Sequence, residues 1–452
     1  MVLVREKSFY KSLVILAMPI VLQNIVSFGI NFADNVMVGS LGDSTIAGVY
    51  LGGQIQLFLS LLLFGIEGSI MVLVTQYWGR NDLKSIKEII AIGVRLALIF
   101  GVLFCAVSFF FTDNILRLFN NDEAVIREGS KFLKIAAFSF LFFTISQSLI
   151  SSMRSIEAVQ IGFYISVISL AVDVIFNYIF IFGHFGAPAM GAAGSALATL
   201  LSRIAEAAVM VIYVFKIDKR IRMKFNDFIP VNKPLLKDFF RYGSPIIAGQ
   251  VVWSVNMLTQ SWLIGNLGAE ALAAVSVSNN LFNLVNIGMA GLSSAVTIMT
   301  GKTVGAGEFE LMKLYAKTVQ ILMLGLGIVC GVVIFITKSA FISLYTLEPG
   351  TILLTRQFLN VLALTIVGST YQAGCLAGLV KAGGDTAFVF KNDTIFVFLV
   401  VLPSAFAALF IWHASPWIVF LCLKSDQILK CFVAIVKINS FNWMKTLTRQ
   451  TT

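Results

Sequence analysis

Long apolar runs separated by short polar stretches make up most of this chain, and each run is about 20 residues or longer. Runs of this length suit helices that cross a bilayer, because about 20 helical residues span its hydrocarbon core. The weak alternation of a membrane β-barrel is not seen. We predict twelve membrane-spanning helices, at 10–37, 45–76, 88–111, 130–153, 158–182, 192–215, 242–264, 271–300, 314–337, 353–380, 386–411 and 415–437.

Lys and Arg residues collect on one side of the membrane under this assignment. They are concentrated at the N-terminus, in the stretch Lys216–Asp238 and after residue 437. The positive-inside rule therefore predicts that both termini lie in the cytoplasm. The first span directly follows a charged segment and is too long for a signal-peptide core, so we expect it to remain as an anchor in the plasma or inner membrane.

The two halves of the chain repeat each other at a constant offset of 226 residues. Matching pairs are Pro19 with Pro245, Gly39 with Gly265, Leu41 with Leu267, Gly42 with Gly268, Gly79 with Gly305 and Lys87 with Lys313. Each half has six predicted spans, so the halves have the same orientation and a pseudo-two-fold axis along the membrane normal. We predict an all-α protein with an N-terminal lobe at 1–215, a cytoplasmic linker at 216–238, a C-terminal lobe at 239–437 and a cytoplasmic tail at 438–452.

The composition agrees with an integral membrane protein. Hydrophobic residues make up 58% of the chain and charged residues 12%, whereas charged residues approach about 25% in soluble domains. The net charge of +10 comes from the predicted cytoplasmic segments, so no nucleic-acid partner is expected. The five Cys lie in apolar runs without paired spacing, and the two His lie near predicted outer loops, which predicts no disulfide framework and no Cys or His metal centre.

Asp34 is the most informative residue, because it lies inside the first apolar run, PIVLQNIVSFGINFADNVMVGSLG. An aspartate at the centre of a bilayer costs about 2.5–3.5 kcal/mol, so such residues normally face a bundle interior or a wet cavity and mark an ion path. Asn31 shares its helical face. The structural alternative is an aspartate that only exchanges hydrogen bonds with neighbouring helices.

Other polar residues inside the predicted spans form small groups. Asp173 and Asn177 lie one turn apart, so both can face one cavity and share an ion or proton site with Asp34, or they can simply bond to each other. Arg203 and Glu206 have the spacing of a structural ion pair. Glu67 has small neighbours that allow another helix to approach closely, and its role is open.

The second half carries amides in place of acids. Deep positions include Gln260 and a helix-8 stripe of Asn279, Asn283 and Asn286 at i, i+4 and i+7. This stripe either faces a substrate cleft between the halves or joins helices by hydrogen bonds. At the offset of 226, Gln260 corresponds to Asp34, so the repeat is asymmetric in charge.

Nucleotide-driven transport is not indicated. The nearest P-loop candidate, Gly301-Lys302-Thr303, has Val296 where the first glycine of the motif is required. Uphill transport therefore has to use an ion gradient, with H⁺ or Na⁺ as the coupling ion and no cofactor.

Several segments together resemble the multidrug and toxic compound extrusion (MATE) family over nearly the full length. They are the first-span pattern with Pro19, Gln23, Asp34, Val38, Gly39, Leu41 and Gly42, TQYWGRND at 75–82, NYIFIFGHFGAPAMGAAGSALAT at 177–199 with Arg203 and Glu206, KAGGDT at 381–386 with Asp393 and Pro403, and the tail LKSDQILKC with NW. The resemblance implies two six-helix lobes in a V shape and export of organic, often cationic, compounds in exchange for H⁺ or Na⁺.

The resemblance also assigns individual positions. Asp34 matches the family's first-helix acid, and Asn177 and Thr199 match polar positions of its first-lobe cation site. Asp173 stands where the family often has asparagine, which adds an acid. In one branch, acids on helices 7 and 10 also bind cations, and the corresponding residues here are Trp253 and Thr370.

We therefore predict a monomeric multi-pass antiporter that exports amphipathic organic cations by rocking of two lobes in a lipid membrane. We expect the coupling cation to bind at Asp34, Asp173, Asn177 and Thr199. If that cation is Na⁺, we expect Asp34 and Asp173 to be its ligands. Substrate-cleft candidates are Gln260, Asn279, Asn283, Asn286 and Trp253. A flippase for lipid-linked precursors is the closest alternative, although buried Arg and Lys are few. An intramembrane aspartyl protease using Asp34 and Asp173 is a further alternative, but the chain has no GxGD-like motif.

Overall fold

The computed structural model describes residues 3–449, and this part of the chain is helical without β-strands. We number its long helices in chain order. They are α1 Lys7–Gly39, α2 Asp43–Gly79, α3 Leu83–Phe110, α4 Glu123–Ser155, α5 Gln160–Phe182, α6 Ala192–Ile212, α7 Lys233–Gly265, α8 Ala269–Gly305, α9 Phe309–Ile342, α10 Pro349–Gln372, α11 Thr386–Ile395 and α12, which consists of Pro416–Leu423 and Asp426–Asn439.

Shorter segments extend or connect these helices. A turn of helix at Thr112–Arg117 lies between α3 and α4, and a 3₁₀ turn at Phe225–Phe228 precedes α7. The π-helical stretches continue long helices, and they are Tyr213–Ile217 after α6, Ala373–Lys381 after α10, and Phe396–Val401 and Ala407–Ile411 on either side of Leu402–Phe406 after α11.

Among the described residues, ten helices are long and apolar enough to cross a membrane, namely α1–α6 and α8–α11 with their extensions. The protein is therefore a multi-pass membrane protein. The predicted span at 415–437 corresponds to α12, which is interrupted between Leu423 and Asp426. Lys424 and Ser425 lie in this break. These two polar residues interrupt the apolar run from which the continuous span was predicted.

Helix α7 begins earlier than predicted, at Lys233 and not near residue 242. Asn232 caps it, because its side-chain oxygen accepts a hydrogen bond from the backbone N–H of Leu235 at 3.2 Å. The Asn232 amide also donates to Glu88 at 2.6 Å, and Lys87 forms an ion pair with Asp227 at 3.2 Å. The end of the predicted linker is thus helical, and the linker is attached to α3.

The chain forms two compact units that do not divide at this linker. The first compact unit is Leu22–Ile247, and the second is Met1–Val21 with Ala248–Thr452. Both divisions lie inside helices, two residues after Pro19 in α1 and two residues after Pro245 in α7. Proline removes a backbone hydrogen bond and kinks a helix, so the repeat places equivalent weak points in the two halves.

In the second compact unit, the KAGGDT motif forms a tight turn between α10 and α11. Gly384 has a φ of +104°, a conformation that side chains disfavour. A Cβ on Gly383 would overlap the ring of Trp443. Trp443 is fully buried and donates its indole N–H to the Ile438 carbonyl at 3.0 Å. The glycines therefore let the C-terminal tail pack against this turn.

Candidate functional site

A cavity of about 930 Å³ lies within the first compact unit, among α1, α2, α4, α5 and α6. Helix α2 provides one wall, with lining residues spaced alternately by three and four positions. These residues are Ile46, Tyr50, Gly53, Leu57, Ser60, Phe64 and Glu67. This spacing keeps them on one face of the helix, so α2 faces the cavity over most of its length.

Three of the predicted coupling-ion residues form a hydrogen-bonded network at this cavity. The Asn177 amide donates to Asp34 Oδ1 at 2.7 Å and to Asp173 Oδ2 at 2.9 Å. Asp173 and Asn177 are buried, and Asp34 is half-buried. Asp34 and Asp173 both line the cavity, and so does Thr199. The network joins α1 to α5.

The oxygen atoms of this network are suitable ligands for a proton or a hard cation. Asn177 Oδ1 is buried and has no hydrogen-bond partner among residues 3–449, so it remains available as an oxygen ligand. Two neighbouring carboxylates repel each other, and a proton or cation bound between them relieves that repulsion. Carboxylate and amide oxygens are the ligands that such cations prefer.

Arg203 and Glu206 form an ion pair beside the same cavity, with 2.6 Å between Arg203 Nη1 and Glu206 Oε2. Gln147 donates a hydrogen bond to the other Glu206 oxygen at 2.9 Å. The Arg203 guanidinium lies 4.8 Å from the centre of the Phe143 ring. Both oxygens of the buried Glu206 carboxylate are therefore satisfied, and sequence reasoning missed Gln147 because its partner is 59 positions away.

Glu67 also lines the cavity. A third group of polar side chains, Arg154 and Gln23, lies near it. Arg154 donates from Nη2 to Gln23 Oε1 at 2.6 Å, and its buried Nε has no hydrogen-bond partner in the described part of the chain. The close helix approach expected at Glu67 is present, because a Cβ on Gly65 would lie 2.8 Å from Ile247 Cα. The small residues thus hold α2 against the middle of α7.

The predicted substrate-cleft residues lie elsewhere, in the second compact unit, and none of them lines this cavity. Gln260 is buried and accepts a hydrogen bond from Lys424 Nζ at 3.2 Å. Asn279 is half-buried, whereas Asn283, Asn286 and Trp253 are exposed. None of the five residues therefore belongs to the cavity of the first compact unit.

Sequence reasoning also missed a charged group in the second compact unit. Lys430 is buried and forms ion pairs with Asp393 at 2.9 Å and with Asp426 at 3.1 Å. The i, i+4 spacing of Asp426 and Lys430 was a usable signal. Lys430 is therefore a buried lysine that the sequence did not reveal, and two carboxylates neutralise its charge.

Comparison with known proteins identifies the family. The model of the MatE family matches residues 19–179 and 245–406, which is most of the chain. The chain belongs to the MatE family. The two matches begin 226 residues apart, at Pro19 and Pro245, as the internal repeat predicted. MatE proteins are transporters, so this protein is a transporter and not an enzyme, and the resemblance seen in the sequence is confirmed.

Relatives of this MatE protein include two bacterial proteins named probable multidrug resistance protein NorM. The one from Agrobacterium fabrum is 26% identical over 83% of this chain and 82% of its own length. The one from Thermotoga maritima is 24% identical over 97% of this chain and 95% of its own length. Each match covers more than four fifths of both chains, which supports a common architecture.

Solved structures confirm the MatE fold. The Vibrio cholerae MATE transporter VcmN, as its D35N mutant, superposes with a TM-score of 0.87 at 15% identity, over 97% of this chain and 98% of VcmN. A MOP superfamily transporter from Pyrococcus furiosus gives a TM-score of 0.85 at 18% identity, over 95% of this chain and 96% of its own. At this identity the likeness shows the fold alone.

Proposed function

We propose that this protein exports amphipathic organic cations in exchange for entering H⁺ or Na⁺. The observation that carries the proposal is the sharing of the Asn177 amide by Asp34 and Asp173 at a cavity within a transporter fold. Membership of the MatE family shows that the protein is a transporter, and the two NorM relatives named for multidrug resistance support drug efflux.

The network explains how an ion gradient could drive export. A proton or Na⁺ that binds between Asp34 and Asp173 reduces the negative charge of the cavity, and this weakens the binding of a cationic substrate. Reciprocally, a bound organic cation weakens the binding of the coupling ion by the same factor. This competition couples the two movements when the cavity is exposed alternately to each side of the membrane.

The cavity wall suits amphipathic cations. Its acidic residues are Asp34, Glu67 and Asp173, and its basic residue is Arg203, whose charge is paired with Glu206. Aromatic residues on the wall include Tyr50 and Phe64, which offer apolar surface and π faces to an organic cation. An acidic cavity does not suit the pyrophosphate of a lipid-linked precursor, so the flippase alternative is less well supported.

The topology belongs to the same proposal. The basic residues at the N-terminus and around residues 216–241 support a cytoplasmic location of both termini by the positive-inside rule. The protein then resides in the plasma or inner membrane as a monomer surrounded by lipid, and its two lobes rock to expose the cavity to either side. This orientation is tested by introducing single cysteines into the linker and the outer loops and measuring from which side of the membrane each one can be labelled.

An efflux assay in membrane vesicles tests the proposal, with the pH gradient and the sodium gradient imposed independently. We expect a fluorescent organic cation such as ethidium to be transported against its gradient when one of the two ions flows the opposite way. Transport that needs neither gradient, or transport that needs added ATP, would contradict ion-coupled export.

A further inference from the structure

Glu67 is an acid of the cavity that neither the Asn177 network nor the Arg203 pair involves. Within residues 3–449 its carboxylate has no hydrogen bond and no ion pair within 4.0 Å. The acids Asp34 and Asp173, in contrast, each accept a hydrogen bond from Asn177. An unpartnered carboxylate in a half-buried position is costly, and a ligand that brings a positive charge would remove this cost.

The nearest cation does not satisfy Glu67. Arg154 and Glu67 attract each other electrostatically, but the described structure has no ion pair between them. The guanidinium of Arg154 is held by Gln23, which is buried, through a hydrogen bond of 2.6 Å. The side of the Glu67 carboxylate that faces the cavity is therefore open to a ligand.

The surroundings of Glu67 define the chemistry of that ligand. Phe64 lies three residues earlier on the same face of α2 and exposes 55% of its surface. Close packing at Gly65 and Gly68 against Ile247 and Ile246 fixes this part of α2. A single carboxylate beside an aromatic ring suits an organic cation with apolar substituents, whereas a metal ion needs more oxygen ligands.

We propose that Glu67 binds the positive charge of the exported organic cation, at a subsite separate from the Asp34–Asn177–Asp173 network. The inference rests on the proposed function and names the substrate contact within it. Glu67 and the network share no hydrogen-bond partner, so substrate and coupling ion have different carboxylates in one cavity. Glu67 then sets the preference for cationic over neutral compounds, and the network sets the ion dependence.

Binding to the purified full-length protein tests this subsite without any transport step. Equilibrium dialysis measures the affinity for tetraphenylphosphonium, a permanent cation, and for triphenylphosphine oxide, an uncharged compound of similar shape. We expect Glu67→Gln to bind the cation about tenfold more weakly and the neutral compound unchanged. The matched control is Glu128→Gln, which removes an acid outside the cavity that is ion-paired with Lys131 at 2.7 Å, and we expect it to bind both probes normally.

The outcomes separate this proposal from the proposed function. Unchanged cation binding by a folded Glu67→Gln, together with normal binding by the wild type, overturns the Glu67 subsite and leaves organic-cation export intact. An equal loss of both probes also overturns it, since charge is then not what Glu67 contributes. Failure of the wild-type protein to bind either probe overturns both proposals.

A labelling measurement on the wild-type protein covers the case in which Glu67→Gln does not fold. Dicyclohexylcarbodiimide reacts with carboxyl groups in apolar surroundings, and peptide mass spectrometry locates the product. We expect Glu67 to be labelled, and we expect tetraphenylphosphonium to protect it while triphenylphosphine oxide does not. Labelling of Glu67 that the cation does not reduce would overturn the subsite.

Discussion

Asp34 on α1 accepts a hydrogen bond of 2.7 Å from Asn177 on α5, although the two residues are 143 positions apart in the sequence. The amide that makes this bond donates its second hydrogen to Asp173, so the two acids are held in one network. A network of this kind is sensitive to the charge of each member, and the first prediction concerns that charge.

Asp34→Asn is expected to preserve the fold and to abolish ion-coupled efflux. The amide keeps the shape of the side chain and a hydrogen-bonding oxygen, but it loses the charge that binds a proton or Na⁺. The measurement is ethidium efflux in vesicles with imposed ion gradients, with expression and thermal stability checked in parallel. Asn266→Ala is the control, because Asn266 is exposed, lies outside the cavity and donates its amide to the Trp262 carbonyl. Normal coupled efflux by a well-expressed Asp34→Asn protein would refute the role given to Asp34.

The sequence predicted the fold and part of this site for identifiable reasons. Apolar runs of about 20 residues predict membrane-spanning helices directly. Asp34 and Asp173 could be identified as candidate site residues because burying an acid in a membrane is costly. Contacts between distant helices have no such signal. The bond of Gln147 to Glu206 and the bond of Lys424 to Gln260 join residues 59 and 164 positions apart, and only the packing of helices brings them together.

Helix boundaries were less predictable because they depend on local caps and on packing. Helix α7 extends to Lys233 since Asn232 caps it, although Lys233, Lys237 and Asp238 are charged. The division of the compact units at Val21 and Ile247 was also not foreseen. Pro19 and Pro245 were noticed as a matching pair of the repeat, but a kink alone does not reveal which half of a helix packs with which unit.

Separate expression of residues 1–225 and 226–452 should restore transport when both fragments are present. The cut lies in an exposed stretch at Phe225 and Asn226. Contacts across it, such as the ion pair of Lys87 with Asp227, can form between fragments. Each fragment alone is expected to be inactive, because the first compact unit needs residues on both sides of the cut. The measurement is co-purification and efflux, and two inserted fragments that never associate would contradict the prediction.

Asp385→Asn is expected to lower the stability of the second compact unit by about 2 kcal/mol. Asp385 lies in the turn after α10 and forms ion pairs with Lys437 at 2.7 Å and with Lys445 at 2.8 Å. Burial acts to raise the pKa of Asp385, but the two ammonium groups outweigh it and hold that pKa below its usual value.

The lowered pKa of Asp385 fixes the direction of a pH effect. A carboxylate whose pKa is lower in the folded protein stabilises it above the unfolded-state pKa of about 3.9, and this contribution is lost as the pH falls further. Thermal unfolding of the wild type and of Asp385→Asn should therefore differ more at pH 7 than at pH 3. A constant difference at both pH values would show that the ion pairs are not its source.

The last prediction separates the roles of the two compact units by comparing Asp173→Asn with Gln260→Ala. Asp173 shares the Asn177 amide with Asp34, so its loss should change the pH or sodium dependence of efflux while leaving substrate preference largely intact. Gln260 lies outside the cavity, accepts a hydrogen bond from Lys424 and cannot titrate near neutral pH, so Gln260→Ala should keep the ion dependence of efflux. Both variants are assayed with the same substrate over matched pH and sodium series. If Gln260→Ala abolishes the ion dependence and Asp173→Asn leaves it unchanged, then the coupling ion is handled in the second compact unit, and Lys424 becomes the titratable group to examine.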